Sequence, residues 1–491
     1  MPNNFPLAAL PDLTNDQQAA YDAILPFLRG HTDHGVMVLE GWAGTGKTTL
    51  VSRLLLECDH HRIAVVAPTN KAVRVLKEKL EAIGAPVAEH GEPNDFRESH
   101  RFGRIAIPPY GITCRSIHSL LGLRLKELDN GQHETRAEGE STVRDYEIVV
   151  IDECSMLDDD LFQRVILERG AARILFVGDS AQLPPVKSAG MGLSPVFTRV
   201  SARYTLTSIV RQAADNPIIR LSAAIRRYIE GGIRVSVDAV LEALPAEPED
   251  GPKVVLVAGD QQVLIDWWLA QHAAEPETDT RIIAYTNNRV LEYNRHIHHA
   301  LHGDTSTRFV PGERVVVHSQ CKASKFLPHD LMGEGTLITS EELLVLKAVT
   351  MPHPLHASIP AEQMRLRAVD GSEWRVWVAS DEEVLAKTIS AYFSGWRQLK
   401  SESEAAIDLR EKNTLKEAAR TASNKAWALK RAFASLRHAY AITCHKSQGS
   451  TFDCALVDFS DLSRMPNAHE FNRALYVAVT RSREYLAMVV T

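Results

Sequence analysis

The sequence predicts an α/β protein with parallel sheets flanked by helices, and three observations carry that expectation. Short continuous apolar runs recur at Gly35 to Leu39, Ile63 to Ala67, Ile148 to Ile151, Ile174 to Val177, Ile282 to Tyr285 and Ala455 to Val457, the pattern of strands buried on both faces. Segments with apolar residues at helical spacing, Thr49 to Glu57 and Lys71 to Leu80, alternate with them and make the first third read β-α-β-α. A glycine-rich loop, Gly41-Trp42-Ala43-Gly44-Thr45-Gly46-Lys47-Thr48, joins the first run to a helix beginning near Thr49, the context in which that pattern carries chemistry.

The remaining elements follow in chain order. From Ala85 to Thr113 the pattern dissolves into Pro, Gly, His and charge, an excursion longer than the usual connection. Leu123 to Val143 reads as a small β-hairpin turning at Asn130-Gly131, the dipeptide that best suits a tight hairpin. A second alternating α/β region spans Val254 to His302. From Thr305 to Leu436 the texture changes to short strands at Arg314 to His318, Leu344 to Val349, Arg365 to Val369 and Trp374 to Val378, then an Ala-rich helical tract from Ser401 onward. This reads as an inserted accessory domain, after which Ala441 to Thr491 returns to strand and helix.

Composition bounds the function. With 491 residues, 45% hydrophobic and 24% charged, the chain is globular rather than disordered or collagen-like, and at ~150 residues per domain it suggests roughly three domains. No run approaches the ~20 apolar residues of a membrane span, and Met1 to Pro11 lacks the layout of a signal peptide, so a cytoplasmic location and no membrane partner are expected. Six scattered cysteines without a C-x-x-C pair point to reduced thiols. A formal net charge of -7 argues against coating a polyanion by overall charge, so any such site is local.

The phosphate loop supplies the first chemistry. Its glycines let backbone N–H groups converge on phosphates at a helix N-terminus, Lys47 reaches the β and γ phosphates, and Thr48 offers an oxygen to Mg²⁺. Asp152 and Glu153 end a buried strand at the carboxyl edge of the sheet, where one carboxylate holds Mg²⁺ and the other orients or deprotonates water. Gln182, in Gly178-Asp179-Ser180-Ala181-Gln182, suits sensing of the γ-phosphate or its attacking water. Arg211 and Arg481 are candidates for the positive charge that stabilises a transferring phosphoryl group.

Together these residues resemble superfamily 1 helicases, and within them the RecD/Pif1/Dda branch, with Dda-type enzymes nearest in size and motif order. Leu13-Thr14-Asn15-Asp16-Gln17 is similar to the adenine-reading Q motif, Gly41 to Thr48 to motif I, and Ala67-Pro68-Thr69-Asn70-Lys71-Ala72 to motif Ia. Ser116-Ile117-His118-Ser119 resembles the following strand-contacting motif, Asp152 to Ser155 motif II, Gly178 to Gln182 motif III and Arg211 the motif IV arginine. Thr443 to Thr451 resembles motif V and Leu475 to Arg481 motif VI.

The resemblance implies two RecA-like P-loop NTPase domains, 1–122 with 144–199 and 200–304 with 437–491, with ATP and Mg²⁺ between them. The implied ATP contacts are Gln17, Gly41, Ala43, Gly44, Thr45, Gly46, Lys47, Thr48, Thr49, Arg211, Gly449 and Arg481, with Thr48 and Asp152 on the metal. Pro68, Thr69, Asn70, Ser116, His118, Thr443, His445 and Lys446 are the implied DNA contacts. It implies 5′ to 3′ movement of a monomer on single-stranded DNA, action at junctions of single and double strands, and a single-strand-binding protein or replisome component as partner. The location is then a bacterial cytoplasm, or the host's for a phage protein.

It also places a strand-separating pin at 123–143 and an SH3-like barrel with a helical tower at 305–436. The 123–143 segment contains no Phe, Tyr or Trp, unlike the pin of Dda. Cys154 stands where Ala or Val is common, and Ser116 where Thr is usual. Seven basic residues lie between Lys412 and His438 against Glu417 alone, a local track beside which Trp427 and Phe433 pack or stack on bases. Competing readings are an RNA helicase, a translocase that strips proteins from DNA, and a small-molecule P-loop kinase.

Overall fold

Four sheets and the helices on them make up the computed structural model, which describes residues 12–58, 61–85, 87, 111–127, 133–185, 193–209, 216–244, 252–327 and 331–490. The chain forms two compact units. Of the described residues, the larger holds those from 12 to 127, from 133 to 291 and from 442 to 490, and the smaller those from 292 to 441.

In the larger unit, helix α1 (Asn15–Leu28) precedes β1 (Val36–Gly41), α2 (Lys47–Leu56), β2 (Arg62–Ala67) and α3 (Asn70–Ala82). Next come β3 (Gly111–Ser116), α4 (Ile117–Leu120), β4 (Leu123–Glu127), β5 (His133–Ala137), β6 (Ile148–Ile151), β7 (Arg173–Gly178) and β8 (Arg203–Leu206). All but β4 and β5 join one parallel sheet in the order β3-β2-β6-β7-β1-β8. Side chains alternate across it. Leu39, Val65, Val150 and Val177 pack with Ile24, Phe27 and Leu54 on one face; Val38, Val66, Ile151 and Phe176 pack with Ile117, Leu157 and Val165 on the other. Each such side chain contributes about 1.5–3 kcal/mol on burial, which is why both faces of these strands are apolar.

Two sequence expectations change here. β8 pairs with β1, Val38 opposite Arg203, so the first sheet extends past the boundary expected at residue 199; four residues with a single buried side chain, Leu206, give no strand signal of their own. The Ala85 to Thr113 excursion is outside the described residues except Ala85, Val87 and its end, where Gly111 already opens β3. The hairpin is present as the antiparallel pair β4 and β5, registered from Leu123 opposite Ala137 to Glu127 opposite His133, while Asn130 and Gly131 are outside the described residues.

The chain continues through α5 (Pro217–Gly231), β9 (Lys253–Ala258), β10 (Thr280–Ala284) and α6 (Asn287–His302). The smaller unit then builds a seven-stranded antiparallel sheet from β11 (Arg314–Val317), β12 (Cys321–Phe326), β13 (Met332–Leu337), β14 (Glu342–Thr350), β15 (Ala361–Ala368), β16 (Glu373–Ala379) and β17 (Leu436–His438), ordered β13-β12-β16-β15-β14-β11-β17. Because β17 pairs with β11 and α6 ends within this unit, it runs from 292 to 441 rather than from 305 to 436. The helical tract also differs. It is two helices of 24 residues each, α7 (Glu382–Ala405) and α8 (Leu409–Ala432), starting well before Ser401. Asp381 and Asp408 cap them with carboxylates that accept the first free amides, and the break at Ala406 to Asp408 separates them. Phe393 of α7 meets Trp427 of α8 edge to face at 5.1 Å, and Phe433 is buried with Ile359 and Leu429.

Returning to the larger unit, β18 (Ala441–Thr443), α9 (Cys444–Ser447), β19 (Phe452–Asp458), α10 (Ala468–Val479) and β20 (Ser482–Val490) complete a second sheet, ordered β18-β10-β19-β20-β9. Its pairs β10 with β19, β19 with β20 and β20 with β9 are parallel. Both parallel sheets carry helices on their faces, the two RecA-like domains that the motif order implied. No helix among the described residues is long and apolar enough to cross a membrane.

Candidate nucleotide and nucleic-acid site

The phosphate loop leaves β1 and enters α2. Gly44 and Gly46 adopt left-handed φ values of 78° and 74°, which only glycine takes without strain. A side chain at Gly41 would meet Thr45 Oγ1 at 2.7 Å. Thr45 is fully buried and donates its hydroxyl to Trp42 O at 2.8 Å, which closes the loop. Lys47 Nζ donates to Gly41 O at 2.7 Å and Trp42 O at 3.0 Å, holding the cation at the loop's mouth. Thr48 and Thr49 follow in the first turn of α2.

Gln17 ties α1 to this loop. Its Oε1 accepts from Thr14 N at 2.9 Å in a capping box, and its Nε2 donates to Thr45 O at 2.9 Å. One N–H and one lone pair of the amide remain for a base.

Asp152 and Glu153 follow β6, and Asp152 N donates to Val66 O at 2.9 Å. Thr48 and Asp152 share a small cavity walled by Val51, Val65, Val150 and Val177. Glu153 sits at φ 52°, ψ 40°, a left-handed conformation that costs a non-glycine residue of order 1–3 kcal/mol. Its buried Oε2 has no hydrogen-bond partner. Burial and the adjacent Asp152 charge push its carboxyl up to about 7, against the pull of Arg481 and Lys47; burial also raises Asp152. A hydroxyl beside a carboxylate is a hard oxygen pair suited to Mg²⁺, and an unpaired carboxylate poised near neutrality suits a general base.

The turn after β7 carries a dense polar network, all of it inside the larger unit. Asp179 is fully buried. Its Oδ2 accepts from the Tyr476 hydroxyl at 2.6 Å, and its Oδ1 accepts from Arg226 at 2.5 Å and from Ala181 N at 3.0 Å. The Tyr476 oxygen in turn accepts the amide of Ala43, in the phosphate loop, at 3.1 Å. Arg226, on α5, also lies 3.5 Å from Glu40 and 5.0 Å over the Trp42 ring. Arg473 donates to the carbonyls of Ser180 and Gln182.

Gln182 Oε1 accepts from Gln448 Nε2 at 3.0 Å, and that amide also reaches Ser155 Oγ at 3.4 Å. Arg481 is buried, donating to Val477 O and Ser450 O at 3.0 Å each and to Thr480 Oγ1 at 3.1 Å. Burial lowers its pKa, and the Glu153 charge opposes that. Arg211 lies outside the described residues.

The candidate strand contacts fall on two sheet edges. Ala67 and Ser116 are register partners of β2 and β3, so Pro68, Thr69, Asn70, Ser116 and His118 share one edge; Thr443 ends β18, and His445 and Lys446 follow it. Thr69, Ser116 and Thr443 are each the N-cap of the next helix, accepting the amides of Ala72, Ser119 and Lys446. Each keeps its hydroxyl proton to donate. The two edges approach where a side chain at Gly449, itself at φ 75°, would stand 3.9 Å from Ala72 Cβ. His445 is half-buried with its ring 6.3 Å from that of Tyr285, and burial lowers its pKa.

The sequence assigned no role to Arg226, Gln448, Arg473 or Tyr476. Gln448 and Tyr476 carried a signal in lying within the motif V and motif VI segments, and Arg226 in lying beside the apolar positions Leu221, Ile225 and Ile229 of α5.

Residues 12–238 match the AAA domain family, and residues 438–489 the UvrD-like helicase C-terminal domain. The ATP-dependent RecD2 DNA helicase of Deinococcus radiodurans is 28% identical over 253 residues, a match that covers 51% of this chain and 28% of that protein. The ATP-dependent DNA helicase dda of Enterobacteria phage T4 is 22% identical over 488 residues, covering 96% of this chain and 98% of its own. A solved Pif1 helicase from Bacteroides aligns at 17% identity with a TM-score of 0.45, over 97% of this chain and 92% of that one.

Proposed function

We propose that this chain, which belongs with the RecD, Pif1 and Dda types of superfamily 1B, is an ATP-dependent DNA helicase that moves 5′ to 3′ on single-stranded DNA and separates duplex strands. The observation that carries this reading is the relay from the Ala43 amide through Tyr476 to Asp179. It joins the phosphate loop of one parallel-sheet domain to a helix of the other. A change in phosphate occupancy at the loop is therefore felt by the second domain, which is what a motor needs.

In this reading the backbone of Gly41 to Gly46 cradles the phosphates of ATP, Lys47 and Arg481 oppose their charge, and Gln17 contacts the base. Thr48 and Asp152 are the residues that would hold Mg²⁺, which when bound neutralises the phosphate oxygens. Glu153 takes the proton of the attacking water. Gln182, held by Gln448, orients that water or the γ-phosphate, and Arg211 and Gly449 complete the nucleotide contacts. The cap hydroxyls of Thr69, Ser116 and Thr443 donate to DNA phosphates, with Pro68, Asn70, His118, His445 and Lys446 beside them. Such contacts carry no sequence information.

We read β4 and β5 as the pin, and β11–β17 with α7 and α8 as the SH3-like and helical accessory element. The motor acts as a cytoplasmic monomer at single-strand to duplex junctions, beside a single-strand-binding or replisome protein. A second reading, a translocase that displaces proteins with little unwinding, is favoured by the absence of Phe, Tyr and Trp from 123–143.

The test is ATP-driven separation of a short DNA duplex carrying either a 5′ or a 3′ single-stranded tail, with a trap strand. Opening of the 5′-tailed substrate alone supports the proposal. Opening of the 3′-tailed substrate alone rejects it, and ATPase stimulation by single strands with no opening transfers the weight to the second reading.

A further inference from the structure

A cluster of imidazoles in the smaller unit surrounds one buried carboxylate. His298 and His302 stand at i and i+4 on α6 and therefore on one helix face. Glu313, just before β11, is buried. His298 Nδ1, His302 Nε2 and a Glu313 oxygen all lie within 4.8 Å of one another. We propose that these three residues bind a zinc-class divalent transition metal.

One edge of the cluster already has the spacing of a metal site, and the other holds a hydrogen bond that a metal would replace. Zinc bound tetrahedrally at about 2.0–2.1 Å sets its ligand atoms about 3.3–3.4 Å apart. His302 Nε2 stands 3.4 Å from Glu313 Oε1, too far for a strong hydrogen bond and right for that edge. His298 Nδ1 is 2.6 Å from the same oxygen and has to open by about 0.7 Å, a movement that a small ring rotation supplies.

The surroundings supply the supporting contacts that metal ligands require. The other His298 nitrogen lies 3.4 Å from Thr305 Oγ1, which donates to Thr307 O at 2.6 Å. Metal binding displaces the proton that Nδ1 shares with Glu313 Oε1, and Nε2–H then donates to Thr305 Oγ1. Glu313 Oε2 accepts from Val310 N at 2.6 Å, and Tyr440 donates its hydroxyl to Oε1, so both carboxylate oxygens are oriented. His438 Nδ1, 3.5 Å from Oε1, is buried without a hydrogen-bond partner, a further nitrogen directed at the cluster. His302 is exposed, which gives the ion an entry path and leaves a position for water. Two imidazoles with one carboxylate select zinc, cobalt or nickel over magnesium and calcium, which prefer oxygen alone.

Such a metal would staple the end of α6 to the first strand of the antiparallel sheet. The inference is independent of the motor reading, because its readouts are metal content and heat stability. The intact chain, stripped with chelator, is titrated with zinc chloride and its bound metal counted by mass spectrometry, with cobalt absorption as a second probe of coordination. One zinc ion per chain is expected, with a rise in unfolding temperature. His302→Ala, at an exposed position, should weaken uptake at least about tenfold, while His299→Ala, the exposed neighbour, should leave it unchanged. A wild-type chain that takes up no stoichiometric zinc, or His302→Ala with wild-type uptake, overturns the proposal.

Discussion

Tyr476 donates its hydroxyl proton to Asp179 at 2.6 Å, across 297 positions of sequence, while the same oxygen holds the amide of Ala43. Tyr476→Phe keeps the ring and removes both bonds, leaving a buried acceptor and an amide unmatched at a cost of about 1–3 kcal/mol. Stimulation of ATPase by single-stranded DNA should drop more than nucleotide affinity does. Measured ATPase rates with and without DNA that keep their wild-type ratio would reject the coupling.

Arg226 is the cation closest to Asp179 and is itself buried. Arg226→Met strands that carboxylate and should destabilise the larger unit by about 3–5 kcal/mol, read as an earlier thermal transition. Adding Asp179→Asn to the same chain should restore part of the loss. A double variant no more stable than the single one would show that the pair is not the source.

Arg481 spends its donors on Val477, Ser450 and Thr480 while its charge reaches Glu153. As a phosphoryl-stabilising arginine, Arg481→Ala should slow turnover about 10³-fold or more with nucleotide still bound. If turnover stays within about tenfold while the unfolding temperature falls, the residue is a structural brace.

Glu153 is raised to about 7 by burial first and by Asp152 second. An acid with a raised pKa is neutral below that value, so the base is lost as pH falls through about 7 and gained as it rises. Steady-state turnover from about pH 6 to about pH 8.5 should climb with that midpoint. Glu153→Gln should abolish hydrolysis while ATP still binds in a filter assay, and a pH-independent wild-type rate would remove Glu153 from the role.

What was legible in the sequence was what local chemistry dictates. Ile63 to Ala67 and Ile148 to Ile151 announced themselves because strands covered on both faces have no polar positions, and the loop from Gly41 to Thr48 because its glycines are demanded by backbone geometry. β8 was silent because its alternation, Arg203 and Thr205 exposed against Tyr204 and Leu206, lasts only four residues. α7 was hidden for the opposite reason: of its 24 residues only Phe393 and Ser403 are buried, too few to mark a stripe. The sequence gathered the acidic pair and the lysine but not their wiring, because Tyr476, Arg226 and Asp179 meet only through the fold. Arg211 lies outside the described residues, so its partners stay with the sequence argument.

Among the described residues β4 and β5 form a sheet of two strands, and the ribbon's base is fixed: Leu123 is buried, and Glu138 and Gly139 both donate to Gly122 O. Mechanically, its described part is a beam clamped at the base. Its interstrand bonds resist sliding along their own length, while a two-stranded ribbon yields more readily to sideways load. In the proposed motor, such a beam parts strands by occupying the space between them, so the rate of opening should track the force delivered at its base more than the identity of the bases that pass.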